Sequence, residues 1–240
     1  MQPYRLFFVF LSACSAISRG QASGGVKTSE ATLADGRVEF RVENVSNKSI
    51  TAVAVEGRTT VASRGAKRGV AKTYLIQDSV IDPSTYPEVM PGGSSAFSLF
   101  GGKSDNDRQI TVRAVLFSDG SSLGEAQWVN LLLRRRRVES EELERALQMI
   151  NTAVLLGSSP EELVSQMRSA KTTRMGSVAD IAERQIVDLV YGNLISNFEA
   201  NPKVPMNPLA RRITQDATVS LTRIKQSKPS FPPAAPAGQP

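Results

Sequence analysis

The stretch "RVEFRVENVSNKSITAVAVEG", residues 37–57, decides the fold of this chain. Val38, Phe40 and Val42 alternate with charged residues, and this period of two predicts a half-buried β-strand. The polar run 44–49 has the composition of a turn, and the apolar run 50–55 predicts a second strand directly after it. The two runs therefore predict an antiparallel pair at the start of a sheet.

Further short strands are predicted downstream at 59–62, 73–76, 96–100 and 110–117. The turn-forming sequences "MPGGSS" and "SDGSS" separate them. Many short strands divided by turns are typical of a β-sandwich. We therefore predict a sandwich domain over residues 37–124.

Three segments of this region resemble the immunoglobulin-like domains of bacterial envelope proteins: "VENVSNKSITAVAV", "PGGSSAFSLF" and "ITVRAVLFSDGSSLGEA". The resemblance implies an immunoglobulin-like β-sandwich in an exported protein of an uncharacterised group, and it transfers no binding residue. The cysteine pair of antibody domains is missing, because the chain has one cysteine.

The periodicity changes after Gly124. Residues 125–156 contain neither proline nor glycine and carry apolar residues at helical spacing, with Gly157 placed as a C-cap. Ser159-Pro160 begins a second helix with a capping-box Glu162, and a third is predicted from Ser177 to about residue 201. A fourth begins at 207–208, although "ATVSLTRI" within it also alternates like a strand.

These patterns predict an α+β protein with five segments. Residues 1–22 form an export signal, 23–36 a linker, 37–124 the sandwich, 125–225 a helical domain, and 226–240 a disordered proline-rich tail.

Leu11-Ser12-Ala13-Cys14 resembles the lipobox of bacterial lipoproteins. The resemblance implies lipid attachment at Cys14 and, because Ser15 follows, a place on the periplasmic side of the outer membrane. Ordinary cleavage after Ala22, which would leave the protein periplasmic or secreted, is the alternative. A mitochondrial-type presequence and a buried N-terminal strand also remain open.

The chain contains no histidine and has no cysteine after position 14. These absences exclude Ser-His-Asp and Cys-His catalysis, histidine-ligated zinc and disulfides. We expect no cofactor and no metal. "GSSLG" at 120–124 is interpreted as a turn and "GGKS" at 101–104 as a loop. A pair of carboxylates is the remaining catalytic option, with these candidates in strand-end loops: Asp78, Asp82, Glu88, Asp105 and Asp107.

Two charged segments bear on possible partners. The "RRRR" at 134–137 precedes a run of glutamates at i,i+4 spacing, which favours a solvated, locally neutralised helix face over a nucleic-acid site. The net charge of +6 is concentrated near the C-terminus. We predict a possible basic contact surface there for an anionic polymer or lipid, comprising Lys203, Arg211, Arg212, Arg223, Lys225 and Lys228.

The sequence as a whole favours an exported, membrane-tethered binding or assembly protein of the cell envelope without catalytic activity. Its partner would be another envelope protein, an anionic polymer or lipid. The alternative is a carboxylate-based hydrolase of envelope glycans.

Overall fold

The computed structural model describes residues 24–32, 38–62, 68–99, 108–178 and 180–227. It confirms an α+β chain in which two antiparallel sheets precede four helices. The strands are β1 Val26–Thr32, β2 Val38–Asn44, β3 Ile50–Ala62, β4 Arg68–Asp78, β5 Ser94–Leu99, β6 Arg108–Phe117 and β7 Ser122–Gly124. The helices are α1 Ala126–Leu156, α2 Pro160–Ser177, α3 Ile181–Glu199 and α4 Met206–Gln226.

The sheets pack face to face as a sandwich. One has the strand order β1-β2-β5 and the other β4-β3-β6-β7. Phe40 and Phe97 from the first sheet join Val53, Val55 and Val115 from the second in one apolar core. The alternation that predicted the first strands thus marks the side chains that fill this core.

Residues 50–57 of β3 are buried on both faces. Val53 and Val55 point into the sandwich, whereas Ala52 and Ala54 lie on the opposite face with Ala114, Leu116 and the helical Leu132. Short alanine side chains let a helix approach the sheet closely. The sequence "TAVAV" therefore belongs to a strand that is covered by the first sheet on one face and by α1 on the other.

Two strand predictions need correction. The segment 23–36, predicted as a linker, contains β1, which pairs antiparallel with β2 from Val26–Asn44 to Thr32–Val38. An edge strand gains much of its stability from backbone hydrogen bonds and can therefore form with few apolar residues. The low apolar content of β1 led to the prediction of a linker. The predicted strand at 59–62 is the end of β3, which pairs with β4 without interruption from Ala52 to Ala62.

The helix termini follow local chemistry. Gly157 ends α1 with φ 69°, and Ser159 and Glu162 form the capping box of α2. The third helix begins after Asp180, whose side chain accepts hydrogen bonds from two backbone amides, so the start predicted at Ser177 is wrong. The ambiguous segment 217–224 is helical, and α4 ends at Gln226, one residue beyond the predicted boundary.

The change from sheet to helix occurs at Gly124, where φ is 112°. A Cβ atom at this position would lie 2.1 Å from the carbonyl oxygen of Arg113, so the site requires glycine. The amide of Glu125 donates to that same carbonyl at 2.9 Å. The first turn of α1 is therefore fixed against β6.

The sandwich and the helices share a packed interface. Val80, in the turn after β4, belongs to the apolar core of the helices, and Leu132 of α1 packs on the outer face of the sheet. None of the helices in the described ranges is both long and apolar enough to cross a membrane.

Candidate binding site at the sheet–helix junction

A buried ion pair joins the sandwich to α1. Arg136 is 0% exposed, and its Nε and Nη2 donate to the two carboxylate oxygens of Asp78 at 2.8 and 2.9 Å. Nη2 also donates to Thr51 Oγ1 at 3.1 Å. The interpretation of residues 134–137 as a wholly solvated face is therefore wrong at Arg136. A helical pattern does not reveal that a strand end 58 residues earlier supplies a carboxylate.

The other three arginines of this run have different surroundings. Arg134 forms an ion pair with Asp180 at the start of α3, and Arg137 lies 3.8 Å from Glu141 on the exposed side. Arg135 makes neither a hydrogen bond nor an ion pair with any residue that the structure describes, and its Nε is buried. Glu139 lies at the i,i+4 position from Arg135, but the two side chains form neither a hydrogen bond nor an ion pair.

A cleft of about 930 Å³ opens where the outer face of the second sheet meets α1 and α3. We call it the junction cleft. Its walls comprise Glu56, Arg58, Lys72, Tyr74, Ile76, Arg113, Glu125, Gln127, Trp128, Leu131, Arg134, Arg135, Asp180, Ile181, Ala182 and Gln185.

An aromatic pair forms one wall of the junction cleft. The rings of Tyr74 and Trp128 have centroids 5.2 Å apart and planes inclined by 51°. Tyr74 is 52% exposed on β4, and Trp128 belongs to the first turn of α1. The pair thus presents an apolar surface that a planar or cyclic ligand can contact.

A network of arginines and carboxylates forms the adjoining wall. Glu56 accepts hydrogen bonds from Arg58 Nε and Arg113 Nε, both at 2.7 Å, and Arg113 Nη1 donates to Glu125 at 2.5 Å. The hydrogen bond from Arg58, and then that from Arg113, hold the pKa of Glu56 below its usual value despite burial. Hydrogen bonds from Gln127 and Arg113 likewise lower the pKa of Glu125. Both acids are therefore ionised at neutral pH.

A second cleft of about 480 Å³ lies between α4 and the sandwich loops. Its walls carry the hydroxyl groups of Thr51, Ser118 and Thr222 together with Glu88 and Arg223. Arg223 Nε donates to the carbonyl oxygen of Val80 at 2.6 Å, which ties α4 to the turn after β4.

The residues of the predicted basic surface have different environments. Arg223 bonds to the backbone, and Lys225 pairs with Glu144 at 2.5 Å. Lys203, Arg211 and Arg212 are exposed and have no ion pair within the described part of the chain. Lys228 and Cys14 lie outside the described residues.

The three candidate catalytic acids that the structure describes do not converge on one cleft. Asp78 is held by Arg136, and Asp82 accepts hydrogen bonds from Thr85 and Ser84 within its own turn. Burial tends to raise the pKa of Asp82, but those hydrogen bonds lower it overall. Of these three, only Glu88 lines one of the two clefts. Asp105 and Asp107 lie outside the described residues.

Glu139 is a buried acid that the sequence analysis did not identify. Glu139 is 6% exposed, and burial together with the nearby Asp78 raises its pKa to about 7, against the opposing effect of Arg135 and Arg223. Its Oε2 has no partner among the described residues, and it lines neither cleft. Within the described ranges, no group of three or more acidic or cysteine side chains is placed to hold a metal ion.

Comparisons with known proteins identify no relative: no family model, curated protein or solved structure matches this chain. Inference about its function therefore depends on the chemistry of the junction cleft.

Proposed function

We propose that this protein is an exported, membrane-tethered binding protein of the cell envelope, without catalytic activity, and that the junction cleft is its ligand site. The observation that carries the proposal is the pair formed by the exposed Tyr74 and the partly buried Trp128, beside the Glu56–Arg113–Glu125 network. An apolar surface combined with a few fixed polar groups is the usual construction of a ligand site.

The state of the acids in the junction cleft favours binding over hydrolysis. A carboxylate-based glycosidase needs one protonated and one ionised carboxyl group facing the same substrate. Glu56 and Glu125 both have lowered pKa values and both bind Arg113. Glu139 has a raised pKa but does not face a described cleft.

The strand order supports the finer proposal that the sandwich is immunoglobulin-like. In such domains the first, second and fifth strands share one sheet, and the third, sixth and seventh share the other. The orders β1-β2-β5 and β4-β3-β6-β7 share this arrangement, except that the fourth strand, which the seven-strand form places in the first sheet, lies here beside β3.

The proposed tether is Cys14, supported by the lipobox-like sequence before it. Cys14→Ala should move the protein from the membrane fraction to the soluble fraction, or leave it uncleaved, because acyl chains supply the anchoring free energy. Mass spectrometry of the N-terminal peptide checks the anchor directly. An unlipidated wild-type chain beginning at Ser23 would show that cleavage follows Ala22 instead.

The ligand site can be tested by equilibrium dialysis of the full chain against a low-molecular-mass extract of the cell envelope. Mass spectrometry of both compartments should show compounds retained on the protein side and chemically unchanged. Tyr74→Ala should abolish retention, because it removes an exposed ring of the cleft. Leu155→Ala is the matched control, since Leu155 is 86% exposed and does not line the cleft.

Two results would contradict the proposal. Products that accumulate beyond the molar amount of protein would indicate an enzyme. Equal retention by Tyr74→Ala and wild type would place the binding site elsewhere.

A further inference from the structure

Arg135 is the starting point for an inference about the ligand, and it rests on the proposed function of the junction cleft. It lines the cleft, its Nε is buried, and no residue in the described ranges accepts a hydrogen bond from it. Its three neighbours in the arginine run all bind carboxylates. A partly buried guanidinium without an acceptor is costly. Nε is closed to solvent, so an anionic ligand would supply acceptors to the two Nη groups.

Nearby protein acids do not fill this role. Asp78 and Glu139 interact with Arg135 through their charge, as does Tyr86. However, both oxygens of Asp78 accept hydrogen bonds from Arg136, and Glu139 Oε2 forms no hydrogen bond within the described chain. The guanidinium of Arg135 therefore keeps its hydrogen-bonding capacity for a group that enters the cleft.

Helical geometry places Arg135 beside the aromatic wall. Trp128, Leu131 and Arg135 are spaced by three and four residues along α1, so they lie on one face of the helix, and all three line the cleft. A ligand whose ring contacts Trp128 thus lies along the same helix face as a free guanidinium.

The charge of the cleft also favours an anion. Five cationic side chains and three carboxylates line it, which leaves an excess of positive charge. Lys72, like Arg135, has no ion pair among the described residues. The other cations of the lining are already paired with Glu56, Glu125, Asp180 or Glu183.

We propose that the junction cleft binds a small molecule in which a ring carries a carboxylate, with the ring against Trp128 and Tyr74 and the carboxylate on Arg135. A planar guanidinium can bind a carboxylate through two parallel hydrogen bonds, which gives geometric selectivity as well as charge. The ring can be that of a sugar acid or of an aromatic acid.

The test uses the fluorescence of Trp128, the only tryptophan in the chain. The full chain is titrated with glucuronate and with benzoate, and separately with glucose and benzamide as uncharged analogues. At least one of the two acids should change the emission saturably, with a Kd about tenfold or more below that of its uncharged analogue. The acid that binds identifies the class of ring.

Three variants locate the effect. Arg135→Gln should weaken binding of the acid by about tenfold or more, and Arg135→Lys, which keeps the charge but loses the planar donor pair, should give an intermediate loss. Arg137→Gln is the matched control, because Arg137 does not line the cleft. Circular dichroism confirms that each variant is folded, and Arg135→Lys still tests the inference if Arg135→Gln unfolds.

The inference would be overturned if the uncharged analogues bound as well as the acids, if Arg135→Gln bound the acid like wild type, or if no acid bound. Retention of envelope compounds in the dialysis experiment, lost in Tyr74→Ala, would then still support a binding protein with a different ligand class. If no acid bound in the titration and no envelope compound were retained in the dialysis, the proposed function would be contradicted as well.

Discussion

The sandwich core and the sheet–helix junction lie on opposite faces of the same strand and are built differently. Toward the sandwich, β3 presents Val53 and Val55 to other apolar side chains. Toward the helices it presents alanines, and buried charged groups lie at the edges of that layer: Glu56, Asp78, Arg136 and Glu139. An apolar layer tolerates conservative changes of packing, whereas a charged layer depends on particular partners.

The largest expected effect is at the junction. Asp78→Ala should lower the free energy of unfolding by about 3–5 kcal/mol, because it leaves the guanidinium of Arg136 buried without its bidentate acceptor. Urea denaturation measures the change. The double variant Asp78→Leu, Arg136→Met should recover much of the loss, since it removes both charges. A double variant no more stable than the single one would contradict this account of the junction.

The second prediction distinguishes the charged junction from the apolar sandwich core by the pH dependence of the free energy of unfolding. Burial raises the folded-state pKa of Glu139 to about 7, so the folded chain holds a proton that the unfolded chain releases at lower pH. The contribution of Glu139 to stability should therefore be fully present below about pH 4.5 and should fall by about 3 kcal/mol as the pH rises to about 8. Asp78 and Asp82 strengthen the shift, and Arg135 and Arg223 oppose it.

Glu139→Gln isolates this contribution. Denaturation curves recorded across that pH range should lose most of their slope in the variant, because the amide does not titrate. An unchanged slope would assign the pH dependence to other groups.

A conservative change in the sandwich core should have a smaller and pH-independent effect. Ile50→Val removes one methyl group from a side chain that is almost wholly buried, and should cost about 1 kcal/mol. Its effect should add to that of Glu139→Gln in the double variant, since the two residues belong to different layers. A loss that varied between pH 5 and pH 8 would show that the two layers are coupled.

The smallest effect concerns the residue next to Arg136. Arg137→Gln should change the free energy of unfolding by about 0.5 kcal/mol or less, because its pair with Glu141 is long and half-exposed. Thermal denaturation of this variant beside Arg136→Gln compares two consecutive arginines directly. Equal losses would mean that burial of Arg136 does not control its contribution.

Local patterns predicted much of the fold. Alternation at 38–42 located β2, and the glycine and serine caps fixed where α1 ends and α2 begins. Each of these signals acts within a few residues of the element it specifies. The edge strand β1 was missed because its stability depends on pairing with β2 and only slightly on its own apolar content.

Most of the candidate site could not be predicted from local sequence patterns. Tyr74, Arg113 and Trp128 come from β4, β6 and α1, and only the tertiary fold brings them together. Arg136 and Arg137 have the same side chain and adjacent positions, yet one is buried and the other half-exposed. The one useful local signal was the alternation of alanine and valine in "TAVAV", which marks a strand that is covered on both faces.

The hydrogen bond from Arg223 to the carbonyl of Val80 has a consequence for the order of folding of a chain that emerges N-terminus first, whether from the ribosome or across a membrane. The two residues are 143 positions apart, so this contact forms only after nearly all the described chain has emerged. Strand pairing in the sandwich can precede it, since β7 ends at Gly124, well before α4 is made. Until then Val80 lacks the apolar neighbours of α4, and the turn after β4 stays exposed to chaperones and proteases. Docking of α4 is therefore expected to be the last step of folding, and nascent chains halted before residue 223 should be cleaved within that turn.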